Sequence, residues 1–323
     1  MSTSPEQIRK YLFDLFSAQL HILVEKGILN ICPQYEKTYI CPICLRQFGE
    51  EALTILHNIN HLTLEDAPPA ALGGNKVALT CKECNSRCGY KIDSHLTEAL
   101  KGIDASYFYK DTIHHGYILN ADGEKVNVEL TSFGNGTLQA YHRINNNNPN
   151  FLKKLIYGLE TKTFGPILNF ERRPSKLIPE RINYALVKAN YILTFGKFGY
   201  LFLLHPIYNS IREQLLNPEQ VIYPYTPFIK NNFKKANIGT YYIYNEGIRS
   251  ILNVFNLRTK YSETILGGTM PPPTLSTPEY GARIDALKDH NNIVAIKTGN
   301  YDPSANLFRD FKEMKIVIQW ING

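Results

Sequence analysis

The 323-residue chain has no uninterrupted apolar stretch of the length needed to span a bilayer. Its most apolar region, 182–204, is broken by Lys188, Asn190, Gly196, Lys197 and Gly199. That pattern points to a buried helix of about five turns, with a strand over Tyr200–Leu204. Met1-Ser-Thr-Ser-Pro has neither the basic start nor the apolar run of a secretory signal, so a cytoplasmic protein is expected. Cysteine is scarce, six residues in all, which argues against a disulfide framework and for a reducing compartment. There is no internal repeat and no nucleotide-binding glycine motif. Tryptophan is nearly absent, one residue against 21 tyrosines. The net charge of +6 leans mildly towards polyanionic partners and identifies none by itself.

What is present concentrates in residues 41–98. Cys41-Pro-Ile-Cys44 and Cys81-Lys-Glu-Cys84 are two CxxC pairs, the usual means of assembling one tetrahedral zinc site from four thiolates. Between them His61–Asp66 alternates as a short strand, Pro68-Pro69 ends it, Gly73-Gly74 permits a tight turn, and Val77–Thr80 returns as a second strand. Asn85 opens a helical run to about Leu100, on which Asn85, Gly89 and Asp93 share one face at a spacing of four. Two strands and a helix pinned by zinc bring Glu65, Asp66, Asn85 and Asp93 towards one point. Cys88, on the helix, reads as a packed thiol, and Cys32 as either a thiol or a ligand.

These residues resemble the HNH (ββα-metal) endonucleases, in particular the zinc-bound subgroup whose pattern is roughly E-H-x-P-P-x-x-x-G-G followed by L-x-C-x-x-C-N-x-x-x-G-x-x-I-D. Glu65, Pro68, Pro69, Gly73, Gly74, Cys81, Cys84, Asn85, Gly89, Ile92 and Asp93 fit it over about 60 residues. The resemblance implies hydrolysis of DNA phosphodiester bonds, with a Mg2+ or Mn2+ ion polarising the phosphate and a strand histidine activating water. On this chain it implies Glu65, Asp66 and Asp93 as ligands of the catalytic ion or its water shell. Asn85 would fix the hairpin or a metal-bound water, and Arg87 and Lys91 would reach phosphates. One departure bears on the chemistry: Asp66 stands where the family has its histidine. A carboxylate with an ordinary pKa near 4 is a weaker base at neutral pH than imidazole. His61, on the Glu65 face of the strand, or Asp66 itself are the remaining candidates; His95 points about 200° from Asp93 on an ideal helix and is the poorer one.

Around this module the chain reads in four parts. Residues 1–30 hold a helix opened by Ser4-Pro5-Glu6-Gln7 with a capping box, expected to pack on the zinc module rather than to dimerise. Residues 31–102 are the module. Residues 103–148 form a β meander with strands at Ile113–Leu119, Lys125–Leu130 and Thr137–Ile144, and the polar run Asn145–Pro149 marks a boundary. His114, His115 and His142 lie in the meander and form no chelating set. Residues 149–323 are expected to be a larger α/β domain that selects substrate or regulates. It starts with the basic segment Lys153, Lys154, Lys162, Arg172, Arg173, Lys176 and Arg181, interleaved with Phe151, Tyr157, Phe164 and Phe170. Such a segment suits a phosphate backbone, with Arg172 and Arg173 as the named contacts, and equally suits a solvated face. Further on, Ile207–Leu216 reads as helical, Tyr241–Tyr244 as strand, 267–278 as a loop, Ala305–Lys312 as a short helical piece, and Ile293–Thr298 and Lys315–Ile321 as closing strands. The expected fold class is α+β.

Two functions compete. One is a metal-dependent endonuclease on double-stranded DNA, comparable to bacterial restriction or phage-defence effectors by analogy of fold. The other is a zinc-stapled module, catalytically degenerate through Asp66, that binds nucleic acid or regulates. A homodimer and a ligand or partner on the C-terminal domain are left open.

Overall fold

The structure, a computed structural model, describes residues 4–31, 37–55, 59–119, 122–142, 144–161, 169–173, 176–223, 228–229, 233–245, 248–288, 297–300 and 305–322. Cys32, Lys162, Phe164 and residues 293–296 of the expected strand lie outside them. In chain order the elements begin with α1 (Pro5–Glu25), β1 (Tyr39–Ile40), β2 (Gln47–Phe48), β3 (Leu62–Ala67), β4 (Asn75–Cys81), α2 (Lys82–Cys88), a π turn (Gly89–Asp93) and α3 (Ser94–Ser106). Next come β5 (Ile113–Leu119), β6 (Lys125–Ser132), β7 (Leu138–Tyr141), α4 (Pro149–Glu160), β8 (Phe170–Arg172), α5 (Pro179–Phe198) and α6 (Asn209–Leu216). The last group is β9 (Phe228–Ile229), β10 (Gly239–Asn245), β11 (Ile248–Arg258), β12 (Glu263–Met270), α7 (Thr277–Ala286), β13 (Thr298–Asn300) and α8 (Phe311–Asn322). Helices alternate with small antiparallel sheets, as an α+β chain requires. Among the described residues no helix is long and apolar enough to cross a membrane.

The chain divides into two compact units, Met1–Thr97 with Pro179–Arg258 and Glu263–Gly323, and Glu98–Ile178 with Thr259–Ser262. The first unit therefore contains both the cysteine-bearing segment and most of the C-terminal half. Its helix α1 starts as the capping box dictates: Ser4 Oγ accepts from Gln7 N (3.2 Å) and Ser4 N donates to Gln7 Oε1 (2.8 Å). Phe13 and Phe16 of α1 lie against Tyr39, with ring centroids 6.1 and 5.7 Å away, so this helix packs on the module. Strands β3 and β4 pair antiparallel from Leu62↔Cys81 to Ala67↔Asn75, with a bulge at Glu65/Asp66. The turn between them needs both glycines. Gly73 takes φ +82°, and a Cβ on Gly74 would collide with the Pro68 carbonyl oxygen. Helix α2 begins at Lys82, three residues ahead of the expected start, because Cys81 ends the strand and caps the helix in one step.

Helix α5 is buried on nearly all sides, from Tyr184 to Phe198, which its largely apolar character anticipates. It ends at Gly199 (φ +58°), and Tyr200–Leu204 forms buried turns rather than the expected strand. The largest sheet has the order β13-β10-β11-β12-β9. Its longest strand, β11, carries no expectation from the sequence reading. Gly267–Met270, expected in a loop, is the end of β12, where Gly267 and Gly268 pair with Ile229 and Phe228. Lys315–Ile321, expected as a strand, lies in helix α8: Met314, Val317 and Ile321 are buried at helical spacing while Ile316 is 60% exposed.

In the second unit the sheet runs β7-β6-β5-β8. Leu152 and Leu155 of α4 pack on Ile118, Val126, Val128 and Leu130, the inward residues of β5 and β6. The run Asn145–Pro149 lies inside this unit, where Asn148 caps α4 by accepting from Asn150 N (2.9 Å).

Candidate functional site

The two CxxC turns meet. Cys41 and Cys44 sit between β1 and β2, in a turn closed by Leu45 N donating to Cys41 O (2.9 Å) and Cys41 N donating to Arg46 O (2.9 Å). Cys81 ends β4 and Cys84 lies in the first turn of α2. The four sulfurs all fall within 4.8 Å of one another. Cys44 Sγ and Cys81 Sγ are 3.7 Å apart, against about 3.8 Å expected for tetrahedral geometry at a zinc–sulfur bond of about 2.3 Å. Cys81 N–H also points at Cys41 Sγ (3.5 Å), a contact that favours thiolate. Burial pushes the Cys41 thiol up and hydrogen bonding from Cys41 pulls Cys44 down, so without a cation the sulfurs share protons unevenly. Four cysteines so placed can hold one metal such as zinc.

Tyrosines fix this centre. Tyr39 OH donates to Leu79 O (2.8 Å) and accepts from Leu79 N (2.9 Å), while Tyr200 OH donates to Ile40 O (2.9 Å) and accepts from Ile40 N (2.8 Å). Tyr191 OH, on α5, donates to Pro42 O inside the first turn (2.8 Å). All three are buried, so each hydroxyl answers backbone groups that water cannot reach. Cys88 is a packed thiol: burial raises it to about 12, and it donates to Leu215 O (3.8 Å).

Beside the cysteines, β3, β4 and the helix bring three of the expected residues together. Asn85 Nδ2 donates to Thr63 Oγ1 and to Leu64 O, both at 2.9 Å, and so ties the helix to the hairpin. Glu65 is 2% exposed and its Oε2 accepts from Thr80 Oγ1 (2.7 Å). Asp93 ends the π turn. Between the two acids lies a residue that the sequence reading did not assign to the site. Lys188 Nζ of α5 is 2.6 Å from Glu65 Oε1 and 2.5 Å from Asp93 Oδ2, and its side chain is 3% exposed. Burial alone would lower Lys188; the adjoining Glu65 and Asp93 carboxylates outweigh it and hold the amine above the ordinary lysine range. Burial raises Asp93, and the Lys188 charge opposes that rise. The signal for Lys188 was in the sequence, as a charge amid Val187, Ala189 and other apolar neighbours; a buried lysine has to be paired.

The remaining candidates stand apart from this point. Asp66 is half-buried, its pKa raised by burial and by Glu65. His61 is buried with Nδ1 3.0 Å from Ile59 O, and among the described residues no hydrogen bond joins it to either acid. Arg87 donates to Leu216 O (3.3 Å) and Lys91 pairs with Glu219 (2.6 Å), so both are engaged at the end of α6. Of the basic segment, Lys154 pairs with Asp122 and Glu124, and Arg181 lies near Glu219. Arg173 donates to Asn127 Oδ1 (2.6 Å) and lies over the Tyr117 ring, while Arg172 is exposed on β8. Among the described residues the four cysteines form the one group of three or more His, Cys, Asp or Glu side chains close enough to share an ion; Glu65, Asp66 and Asp93 form none.

Comparisons with protein-family models, with curated proteins and with solved structures find no match for the chain. The site's own geometry is therefore the basis for a functional reading.

Proposed function

We propose that residues 41–97 are an HNH-like ββα module, stapled by one zinc ion on Cys41, Cys44, Cys81 and Cys84, that binds duplex DNA and does not cut it. The observation that carries this reading is the Lys188 ammonium on Glu65 and Asp93. A catalytic divalent ion would need those carboxylates; here Glu65 is buried, the Asp93 side chain is 13% exposed, and both are neutralised from within the chain. The aspartate at position 66 supports the same reading, since it removes the imidazole that would activate water. The excess of cations, +6 overall, supplies the attraction to DNA.

The test is one assay with two readouts. Zinc-loaded protein is mixed with plasmid DNA in Mg2+ and in Mn2+, and duplex binding is measured at two salt concentrations. Intact plasmid with an affinity that falls steeply as salt rises agrees with the reading; no measurable duplex binding at low salt contradicts it. A second reading, the metal-dependent endonuclease, is favoured by the retention of Glu65, Asn85 and Asp93 around one point. Chelator-sensitive cleavage that Asp93→Asn abolishes would establish it in place of the first.

A further inference from the structure

Glu65, Asp93 and Lys188 come from three separate elements, β3, the π turn and α5. Two carboxylates held this close and largely shielded from water, with Glu65 2% and Asp93 13% exposed, repel each other and cannot both stay ionised without a cation between them. The family resemblance implies a divalent ion for that purpose, but here the chain's own groups already engage three of the four carboxylate oxygens. Glu65 Oε1 and Asp93 Oδ2 both contact Lys188 Nζ, and Glu65 Oε2 accepts from Thr80. Asp93 Oδ1 alone is buried without a hydrogen-bond partner, a vacant acceptor on the cation's own ligand set. Nor is the lysine a mobile plug. Its side chain is 3% exposed and its Nζ is held from two sides, by Glu65 Oε1 and by Asp93 Oδ2.

We propose that Lys188 is a built-in substitute for a divalent cation, and that removing its amine uncovers a site for a hard, oxygen-ligated ion formed by Glu65 and Asp93. Among the described residues the native chain then carries one metal centre, the cysteine cluster, and its acid pair is neutralised by the chain itself. Cutting Lys188 back to Cβ frees everything from Cγ to Nζ, space for an ion with water ligands. Glu65, Asp93 and the Thr80 hydroxyl supply the protein oxygens that such an ion prefers. The inference rests on the module reading for its expectation of a metal at this point. Its readout is metal binding rather than DNA, so the two can fail separately.

The experiment titrates zinc-loaded wild type, Lys188→Ala and Lys188→Ala/Asp93→Asn with Mn2+, following free Mn2+ by EPR and thermal midpoint in parallel. Lys188→Ala should take up one Mn2+ per chain at least tenfold more tightly than either of the other two proteins. Its midpoint should also rise with Mn2+ concentration, as ligand linkage requires. Wild-type protein that binds one Mn2+ and loses it on Asp93→Asn would overturn the proposal, as would a folded Lys188→Ala that binds none. If Lys188→Ala does not fold even with Mn2+, the charge-free variant Glu65→Gln/Asp93→Asn/Lys188→Met decides. Folding of that variant supports a purely neutralising lysine, and its failure to fold rejects one.

Discussion

Two clusters of negative groups lie within one module, and they are neutralised in opposite ways. Four cysteines converge from the β1–β2 turn and from the junction of β4 with α2, close enough to hold an ion from solution. Glu65 and Asp93 converge from a strand and a helix, and the chain supplies the cation as Lys188. A thiolate set depends on zinc and couples folding to metal supply. A carboxylate pair closed by lysine folds at any metal concentration but gives up the open coordination position that metal catalysis needs.

The comparison can be broken most severely at the cysteines. Cys81→Ser should reduce bound zinc from one to none per chain and unfold the module, a loss on the order of 10 kcal/mol if binding and folding are fully coupled; metal analysis with circular dichroism checks it. At the acid pair, Lys188→Met should cost about 3–5 kcal/mol by leaving Glu65 and Asp93 without a counter-charge. Denaturant unfolding measures this, and zinc content should stay at one. Asn85→Ala removes two hydrogen bonds that tie helix to hairpin and should cost about 1–3 kcal/mol.

The smallest effect belongs to Asp66. Its folded pKa is raised, so ionisation is harder in the folded state than in the unfolded chain, and the folded state bears that penalty at neutral pH. Asp66→Asn should therefore raise stability at pH 7, by about 0.5 kcal/mol or less for a half-buried position. The gain should start to fade as pH drops through the raised folded pKa and be gone below the ordinary aspartate pKa of about 4. A gain that grew on acidification would reverse the sign of this argument.

How much of this was legible in the sequence differs between the two clusters. The cysteines announce themselves by spacing, because a CxxC turn is local and needs no knowledge of the fold. Asn85, Glu65 and Asp93 were legible through strand and helix periodicity, although the π turn and the bulge at Glu65/Asp66 were not. Lys188 was visible only as an interruption of an apolar helix; its partners lie 123 and 95 positions away in the chain, beyond any local pattern. In the C-terminal part, the run Ile316-Val-Ile318 suggested a strand through its β-branched residues, yet burial at Met314, Val317 and Ile321 follows the helical period. Residues 267–270 read as a loop because glycine is rare in strands. Here Gly267 lets the Phe233 ring come within 2.9 Å of where its Cβ would be.

The central claim, that a lysine stands where a metal would, is tested most directly by anomalous scattering from crystals of the zinc-loaded protein soaked in manganese. The account predicts one zinc peak among Cys41, Cys44, Cys81 and Cys84, and continuous side-chain density for Lys188 between Glu65 and Asp93 with no manganese peak. A manganese peak bound by Glu65 and Asp93, with Lys188 turned away, would contradict it.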